Sequence, residues 1–571
     1  MRWKLKSIEE ASVRTTAERT GLPRSVARAL ALRVSPDSAD TFLNPKLANL
    51  SSPERLPDTD RAVERILAAI STREPIVVFG DYDVDGITAS ALLSRTLQRL
   101  GAKVAPFIPS RLDEGYGLSR DAVERCVADL SPGLVVTVDC GTNAHESVEF
   151  LRQLNVDVVV TDHHQPAERT AEPLALVNPK RGPRRDLDVL AGVGVAFKLA
   201  HALVAAARDR GLKDAQKIDL REELDLVALG SIADIVPLTG ENRILVRHGL
   251  ERMNRGARPG LSALKQVAGI RSNIDAYHVG FQLGPRINAA GRIGDPALAL
   301  RLLLTEDPGE AREIAERLDL VNRERRKLEQ ETFERAAQEI ETRFPDDPLP
   351  FGLVVSGKGW HAGVVGIVAS RIARKYHRPA IVVGIDDDGR GHGSCRSIES
   401  FDLIAALDEC RDCLEKYGGH PMAAGLSLPE NRIDEFRRAF EAVAEKRLAG
   451  IDLSPVLEID AELAPDQIDA ELMRVLDRLA PFGAGNPEPI WMLRNACVES
   501  CRTVGERHAK LTLLAGKKRF DAIASNRLPK DLPDAPTVDV AFALKKNEWQ
   551  GQVAPQLQIR DLRETTADDA D

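Results

Sequence analysis

Three aspartates alternate with other residues in the short segment Gly80-Asp-Tyr-Asp-Val-Asp-Gly86. Their carboxylates, on Asp81, Asp83 and Asp85, would repel one another in a tight turn unless a cation lies among them. A single aspartate that follows a strand usually caps the next helix. Three aspartates at this spacing favour a metal site over capping alone.

Two further groups could supply ligands to the same site. Asp139 follows the apolar run 134–138, and Asp162, His163 and His164 follow the run 156–161. Carboxylates with one or two imidazoles make a hard, oxygen-rich donor set that suits Mn²⁺ or Mg²⁺, and the histidine favours Mn²⁺. The donors are numerous enough for two ions, an arrangement that activates a water in phosphoester hydrolysis.

The placement of these residues depends on an alternation of apolar runs and helical stretches. Five short apolar runs occur between residues 75 and 177, and most are separated by stretches of helical character. This alternation is typical of a parallel sheet with crossover helices. Ligands of open α/β sheets gather at the carboxyl ends of the strands, so such a sheet would bring the aspartates and histidines to one edge.

The chain has 571 residues, which at about 150 residues per domain predicts several domains. We expect a helical N-terminal lead-in, the parallel-sheet domain, a long connecting helix, a second α/β unit with a helix near 401–417, a small β domain and an acidic, disordered tail. The expected bounds are, in that order, 1–60, 61–305, 306–345, 346–450, 454–563 and 564–571.

The composition excludes several classes of protein. A formal net charge of −9 argues against a basic protein that coats any polyanion. The seven cysteines do not form a disulfide framework, and the Cys410–Cys413 pair lacks the partners of a zinc site. Gly192-Val-Gly194 lacks the rest of a nucleotide-binding fingerprint. The first residues lack the apolar segment of a secretory signal, so we expect a cytoplasmic protein without a membrane anchor.

The order of these motifs resembles the four signature motifs of the DHH phosphoesterase superfamily. The segment from Gly80 to Gly86, then Asp139, Asp162-His163-His164 and Asp234, match them in turn. Further segments are similar to those of the bacterial single-stranded-DNA-specific 5′→3′ exonucleases of this superfamily. They are NPKR from Asn178, FQLGPRINAAGRIGDP from Phe281, GWHAGVVGIVASRI from Gly359, GHGSCRS from Gly391, GGHPMAAG from Gly418 and LAPFGAGNPEP from Leu479.

The resemblance implies roles for individual residues at the metal site. His164 matches the residue that contacts the scissile phosphate. Position alone would make Asp234 only the end of an apolar helical run, and its role as a ligand rests on the resemblance. Some relatives carry a histidine where this chain has Phe79, so we expect no extra ligand there. The residues that match metal ligands are Asp83, Asp85, Asp139, His163 and Asp234, with Asp81 as a possible helper.

The resemblance also implies a multi-domain α/β fold: a DHH parallel-sheet domain, a long connecting helix, a DHH-associated (DHHA1) α/β domain and a C-terminal OB-fold β-barrel. The implied substrate ligands in the DHHA1 domain are Ser394, Arg396, Ser397 and His420, the last in a glycine-hinged turn. In the first domain, Arg111 and Arg286 are candidates for gripping the strand or its 5′ end, and Tyr116 is a candidate stacking platform.

The C-terminal domain carries a local cluster of positive charge. Seven basic residues fall between Arg502 and Arg519, which favours a single-strand-binding face, although a solvated strand would look similar. Phe520 and Trp549 are the candidate base-stacking residues of this domain.

The implied activity is hydrolysis of single-stranded DNA from the 5′ end to nucleoside 5′-monophosphates, with two Mn²⁺ or Mg²⁺ ions, in DNA repair and recombination. A passage too narrow for a duplex would select single strands. We expect a monomer that works on single-stranded DNA with a helicase and a single-strand-binding protein. Two alternatives remain: another DHH phosphodiesterase, acting on oligoribonucleotides or cyclic dinucleotides, and a non-catalytic DHH scaffold. The OB-like domain and long connector disfavour the first, and the filled metal positions disfavour the second.

Overall fold

The structure is a computed structural model that describes residues 1–110, 114–115, 117–182, 186–256, 258–345, 348–549 and 552–565. The chain forms two compact units. The first unit contains Met1–Asn288, Pro296–Ala315 and the chain from Val456 onward, and the second contains Ala289–Asp295 and Glu316–Pro455. Within these ranges, none of the helices has the length and apolar character that a bilayer span requires.

The N-terminal segment is mainly helical and packs on the C-terminal domain. Apolar side chains such as Leu22, Val26 and Phe42 share one hydrophobic core with Leu463 and Leu472 of that domain. The sequence pattern did not indicate this association, because the two segments are more than 400 residues apart along the chain. The elements are β1 (Arg2–Leu5), α1 (Glu10–Thr20), α2 (Arg24–Ala31) and α3 (Ala39–Leu43).

A five-stranded parallel sheet follows, in the order β3-β2-β4-β5-β6. All five predicted apolar runs form strands of this sheet. β2, β4 and β6 are buried along their whole length, as expected for strands covered on both faces. The elements are α4 (Thr59–Thr72), β2 (Ile76–Gly80), α5 (Val84–Arg99), β3 (Val104–Phe107), α6 (Arg120–Leu130), β4 (Leu134–Val138), α7 (His145–Gln153), β5 (Asp157–Thr161) and β6 (Ala175–Val177).

The register of this sheet aligns the carboxyl ends of four strands. Gly80 pairs with Val138, Val138 with Thr161, and Thr161 with Val177. The residues that come next in the chain therefore lie side by side at one edge of the sheet: Asp81, Asp139, Asp162 and Asn178.

The chain then becomes helical up to residue 343. A π-helical turn, Val279–Leu283, interrupts this region, and such turns are frequent at functional sites. The predicted connecting helix is present, with 36 residues. The helices are α8 (Gly192–Asp209), α9 (Leu224–Ala233), α10 (Gly240–Gly256), α11 (Pro259–Val267), α12 (Ala276–His278), α13 (Gly284–Ile293), α14 (Pro296–Leu304) and α15 (Pro308–Arg343).

The second unit contains a mixed sheet in the order β10-β11-β9-β8-β7, in which β7 and β8 are parallel and the other neighbours antiparallel. Helices cover it. The elements are β7 (Leu353–Lys358), α16 (Ala362–Tyr376), β8 (Ala380–Ile385), β9 (Arg390–Arg396), α17 (Leu403–Glu409), β10 (Lys416–His420), β11 (Ala423–Pro429) and α18 (Ile433–Leu448).

Two predictions for the second unit are wrong. The helix expected near 401–417 ends at Glu409, because Lys416–His420 instead forms β10 and pairs with β11. For the same reason His420 lies on a strand and not in a glycine-hinged turn. Two adjacent glycines, Gly418 and Gly419, disfavour a helix here, and the antiparallel pairing satisfies their backbone groups.

The C-terminal domain contains the predicted β-barrel. Five strands close it in the order β14-β15-β16-β18-β17, and β17 pairs back to β14. Outside the barrel, β12 pairs with β1 near the N-terminus. The elements are β12 (Val456–Ile459), β13 (Ala461–Glu462), α19 (Ala470–Leu479), β14 (Trp491–Val504), β15 (His508–Ala515), β16 (Lys518–Ala524), β17 (Thr537–Trp549) and β18 (Gln552–Glu564).

Candidate metal centre

Asp83 and Asp85 lie at the start of α5, and each is held by backbone amides. Asp83 caps the helix, since its Oδ1 accepts the amides of Asp85 at 2.9 Å and Gly86 at 3.1 Å. The Asp85 carboxylate accepts the amides of Gly192 at 2.6 Å and Val193 at 2.9 Å, at the start of α8. Each carboxylate oxygen has a second acceptor site, so these anchors leave both residues able to bind a cation.

Asp139 and His163 lie at the middle of the sheet edge. Asp139 has a φ of +62°, an uncommon conformation for a residue other than glycine. Its Oδ1 lies 3.1 Å from His163 Nε2, which is also 3.6 Å from Asp234 Oδ2 and 3.8 Å from Asp85 Oδ2.

Asp162 organises the loop that carries both histidines. Its Oδ1 accepts the amides of His163 at 2.7 Å and His164 at 3.1 Å, and lies 2.7 Å from Nδ1 of His164. Its Oδ2 accepts the amide of Thr142 at 2.9 Å. With four donors around one carboxylate, Asp162 acts as a positioning group. It leaves Nε2 of His164 for another partner, and the His164 side chain is 55% exposed.

Burial dominates the electrostatics of the carboxylates. Desolvation, together with repulsion from the nearby Asp83, raises the pKa of Asp81 and of Asp234 to about 7. Desolvation likewise raises the pKa of Asp85 and of Asp139 well above the ordinary range. Without a cation, these acids cannot all be ionised at neutral pH. The chemistry of the site therefore favours a bound divalent ion.

The two histidines are tuned in opposite directions. Burial lowers the pKa of His163 to about 4, so its imidazole is neutral, as a metal ligand must be. The hydrogen bond to Asp162 raises the pKa of His164 to about 9. At neutral pH His164 is therefore a cation with an N–H available to an anionic oxygen.

Ligand atoms converge in three groups, and within each group they lie within 4.8 Å of one another. Asp139 belongs to two groups, as does His163. Buried oxygens of Asp81 and Asp139 accept no hydrogen bond from the described residues, apart from the approach of His163 to Asp139. The donor set fits hard divalent ions. The groups are Asp81 with Asp83 and Asp139, Asp85 with His163 and Asp234, and Asp139 with His163 and His164.

Two glycines that sequence reasoning did not assign to the site allow this convergence. A Cβ on Gly192 would lie 2.6 Å from Cβ and Oδ1 of Asp139, and a Cβ on Gly230 would lie 2.9 Å from Asp85 Oδ1. Gly230 lies inside α9, where glycine costs about 0.5–1 kcal/mol relative to alanine. A glycine inside a predicted apolar helix is thus the sequence signal of such a close approach.

Comparisons with known proteins agree with this architecture. Family models match at 75–231 (DHH family, N-terminal domain), 350–446 (DHHA1 domain) and 459–561 (RecJ OB domain). The single-stranded-DNA-specific exonuclease RecJ of Bacillus subtilis is 38% identical over 98% of this chain and 70% of its own length. The chain belongs to the RecJ family.

Two further members of the RecJ family support this assignment. RecJ of Escherichia coli is 38% identical over 89% of this chain and 91% of its own length. The crystal structure of RecJ from Thermus thermophilus in complex with Mn²⁺ aligns with a TM-score of 0.84 and 34% identity, covering 99% of this chain and 80% of that chain. The predicted fold class and superfamily are therefore confirmed.

Three of the four substrate residues predicted in the second unit, Ser394, Arg396 and His420, lie on one face of its sheet. Arg396 pairs with Ala423, which pairs with His420, so these residues form a row across three strands. Ser394 precedes Arg396 by two positions on β9, and its Oγ accepts a hydrogen bond from Arg396 Nη1 at 3.1 Å. The hydroxyl of Ser397 donates to the carbonyl of Phe401 at 2.6 Å and thus stabilises the loop.

The other predicted substrate residues have different outcomes. Arg286 is half-buried on α13, where Nη1 donates to the carbonyl of Gln282 at 2.6 Å. Arg111 and Tyr116 lie outside the described residues. Phe79 is buried and stacks on Phe107 with ring centroids 5.1 Å apart, so it offers no ligand.

The barrel of this RecJ family member corrects one prediction. Phe520 is buried in its core, so its role as an exposed stacking residue is wrong: alternation along β16 turns it inward. The side chain of Trp549 lies outside the described residues. Of the basic cluster, Arg519 pairs with Glu499 at 2.7 Å and Lys510 with Asp521 at 3.0 Å.

Exposed apolar side chains near Asp234 were also missed by sequence reasoning. Ile235 has a φ of +61° and is 73% exposed, which is strained for a β-branched residue and common at functional sites. Tyr277 and Phe281 stack with ring centroids 5.0 Å apart and are 57% and 67% exposed. The π-helical turn that carries Phe281 packs on the end of α9, since a Cβ on Gly280 would lie 3.7 Å from Ile232.

Proposed function

We propose that this chain is a metal-dependent exonuclease that degrades single-stranded DNA from the 5′ end, in DNA repair and recombination. The observation that carries the proposal is the convergence of carboxylate and imidazole ligands at the sheet edge, with the positively charged His164 beside them. His163 and His164 are adjacent in the sequence. The neutral His163 provides a ligand and the charged His164 provides a hydrogen-bond donor at the same edge.

The proposed ligands of two Mn²⁺ or Mg²⁺ ions are Asp83, Asp85, Asp139, His163 and Asp234, with Asp81 beside them. Divalent ions bound there would supply Lewis acidity and lower the pKa of a water. His164 would donate from Nε2 to a non-bridging oxygen of the scissile phosphate. Asp162 would keep His164 charged and aimed, because its carboxylate accepts both the ring N–H and the local backbone amides.

Single-strand selectivity is supported by an exposed aromatic pair, Tyr277 on α12 and Phe281 on the π-helical turn. The faces of unpaired bases are free to stack on Tyr277 and Phe281, whereas the bases of a duplex already stack on one another. Exposed cations of the barrel, Arg502 and Arg507 among them, would attract the phosphates of the strand.

The remaining residues that we propose as substrate ligands contact the 5′ end or the strand itself. Arg286, with Arg111 and Tyr116, would hold the 5′ end, and Ser394, Arg396, Ser397 and His420 would contact the strand. A helicase and a single-strand-binding protein would supply the substrate, in the cytoplasm.

A nuclease assay tests the proposal. The purified chain, with Mn²⁺, is incubated with single-stranded DNA labelled at the 5′ or the 3′ end, with single-stranded RNA, and with blunt duplex. The 5′ label should be released first as a mononucleotide, and the duplex should remain intact. Digestion of duplex at the same rate, or first release of the 3′ label, would overturn the proposal.

A matched pair of variants locates the activity at the metal centre. Asp83→Ala should lose the activity and weaken Mn²⁺ binding in calorimetry. Asp214→Ala removes a solvent-exposed carboxylate that pairs with Lys217 in the same unit, and should retain both properties. Full activity in folded Asp83→Ala would place the chemistry elsewhere.

A further inference from the structure

One buried side chain joins the loop of His164 to the segment after β6. The amide of Asn178, which is fully buried, donates from Nδ2 to the carbonyl of His164 at 2.9 Å and to Thr142 Oγ1 at 2.9 Å. Its Oδ1 accepts the backbone N–H of Lys180 at 2.9 Å. A single amide group therefore bridges the backbones of His164 and Lys180 and keeps them at a fixed, short separation.

The two neighbouring cations of this segment differ in their partners. Pro179–Arg181 forms a 3₁₀ turn. Arg181 is committed to the scaffold, because Nη1 donates to Asp58 Oδ2 and to the Leu176 carbonyl, both at 3.3 Å. Lys180 is half-buried, and no carboxylate in the described part of the chain lies within 4.0 Å of its ammonium group.

The ammonium group of Lys180 nevertheless lies within the electric field of the metal centre. Burial is the main cause of the lowered pKa of His163, and the positive charge of Lys180 adds to that effect. The same charge opposes the raised pKa of Asp234, which is due mainly to burial. Asn178 follows β6 at the same sheet edge as Asp162, and its amide group joins the backbones of His164 and Lys180, so the turn that carries Lys180 lies beside the metal centre.

We propose that Lys180 is a substrate-binding residue that contacts a non-bridging phosphate oxygen of the strand at the metal centre, beside His164. A half-buried ammonium group without a carboxylate partner retains its full capacity to bind an anion. Ions at the carboxylates would neutralise the acidic field and leave Lys180 and His164 as the cations beside the phosphate. This inference rests on the proposed function and adds a residue to its phosphate-binding set.

The test compares neighbouring cations on the same turn. Wild type, Lys180→Gln, Lys180→Arg and Arg181→Gln are assayed on a 5′-labelled single-stranded oligonucleotide with Mn²⁺. Loss of one charge-assisted contact should lower kcat/KM of Lys180→Gln about 10- to 100-fold, whereas Lys180→Arg should stay within a few-fold of wild type. Arg181→Gln should retain wild-type kcat/KM, because its partners belong to the scaffold.

Two further readouts separate phosphate binding from simple balancing of the carboxylates. Mn²⁺ affinity in calorimetry without DNA should be unchanged or slightly tighter in Lys180→Gln, since a nearby positive charge is removed. The slope of log affinity for the oligonucleotide against log salt concentration is negative, and in Lys180→Gln it should become shallower by about 0.7. Thermal melting checks that each variant folds, and Lys180→Met replaces Lys180→Gln if that variant does not.

The outcomes are distinct. Equal kcat/KM for Lys180→Gln and wild type, or equal losses in Lys180→Gln and Arg181→Gln, would overturn the inference while leaving the proposed function intact. Weakened Mn²⁺ binding in Lys180→Gln with an unchanged salt slope would also overturn it. A wild-type chain without nuclease activity would overturn the proposed function and, with it, this inference.

Discussion

Nδ1 of His164 lies 2.7 Å from Oδ1 of Asp162, and the same oxygen accepts the backbone amides of His163 and His164. One carboxylate thus sets the path of the loop and the charge of the imidazole together. The metal centre depends on positioning groups as much as on ligands.

Asp162→Asn should lower the pKa of His164 from about 9 toward the ordinary value near 6.5, because the charged acceptor is lost. In wild type the raised pKa of His164 contributes to the free energy of unfolding. This contribution is complete below about pH 6.5 and is lost as the pH rises through about 9. In the variant His164 is neutral above the ordinary pKa near 6.5, so nuclease activity should be lost mainly above pH 7. NMR titration of the metal-free protein measures the pKa, and an unchanged value would contradict this account.

Mn²⁺ affinity should rise with pH between about 5.5 and 8. Asp81 and Asp234, with pKa values raised to about 7, hold protons in the metal-free protein and must release them to the ion. Calorimetry in two buffers of different ionisation enthalpy measures the protons released. A pH-independent affinity would show that these carboxylates do not bind the ion.

Protonation of Asp81 and Asp234 also determines how the stability of the metal-free protein depends on pH. The pKa values of Asp81 and Asp234 in the folded state lie above the unfolded value near 3.8, so the folded chain binds more protons than the unfolded chain. The free energy of unfolding should then fall as the pH rises from about 4 toward 7 and beyond, and Mn²⁺ should restore it. Thermal melting at pH 5.5 and pH 8, with and without Mn²⁺, should show a larger stabilisation by Mn²⁺ at pH 8.

Gly192→Ala should weaken Mn²⁺ binding about 10- to 100-fold, because the new Cβ would displace Asp139. Gly194, two residues further along α8, is the matched control: the atoms nearest to a Cβ there belong to the Leu190 side chain, with Cδ2 at 3.2 Å. Gly194→Ala should keep wild-type affinity. Similar affinities for both variants in calorimetry would mean that Asp139 is not a ligand.

Phe281→Ala should raise KM for single-stranded DNA with little change in kcat. Loss of one stacked base costs about 1–3 kcal/mol, or about 5- to 150-fold. Leu154→Ala, which removes an exposed apolar side chain from another element of the same unit, serves as the control. Unchanged KM in steady-state kinetics of Phe281→Ala would show that the aromatic pair lies off the path of the strand.

The sequence determined the parallel sheet and the edge at which its chemistry gathers. Continuous apolar runs indicate buried strands, and parallel strands bring their carboxyl ends together whatever their order in the sheet. The placement of Asp81, Asp139 and Asp162 at one edge of the sheet therefore follows from the sequence alone. The placement of Asp234 does not, because it ends a helix and no periodicity says which sheet edge that helix approaches.

Only the tertiary structure decided the contacts between segments distant in the chain. Gly192 against Asp139, Asn178 between His164 and Lys180, and the N-terminal helices against the C-terminal barrel all depend on packing. The inward turn of Phe520 likewise depends on how its barrel closes. Local sequence sets the period of an element and the residues at its ends, but burial of a face depends on its neighbours, which lie elsewhere in the chain.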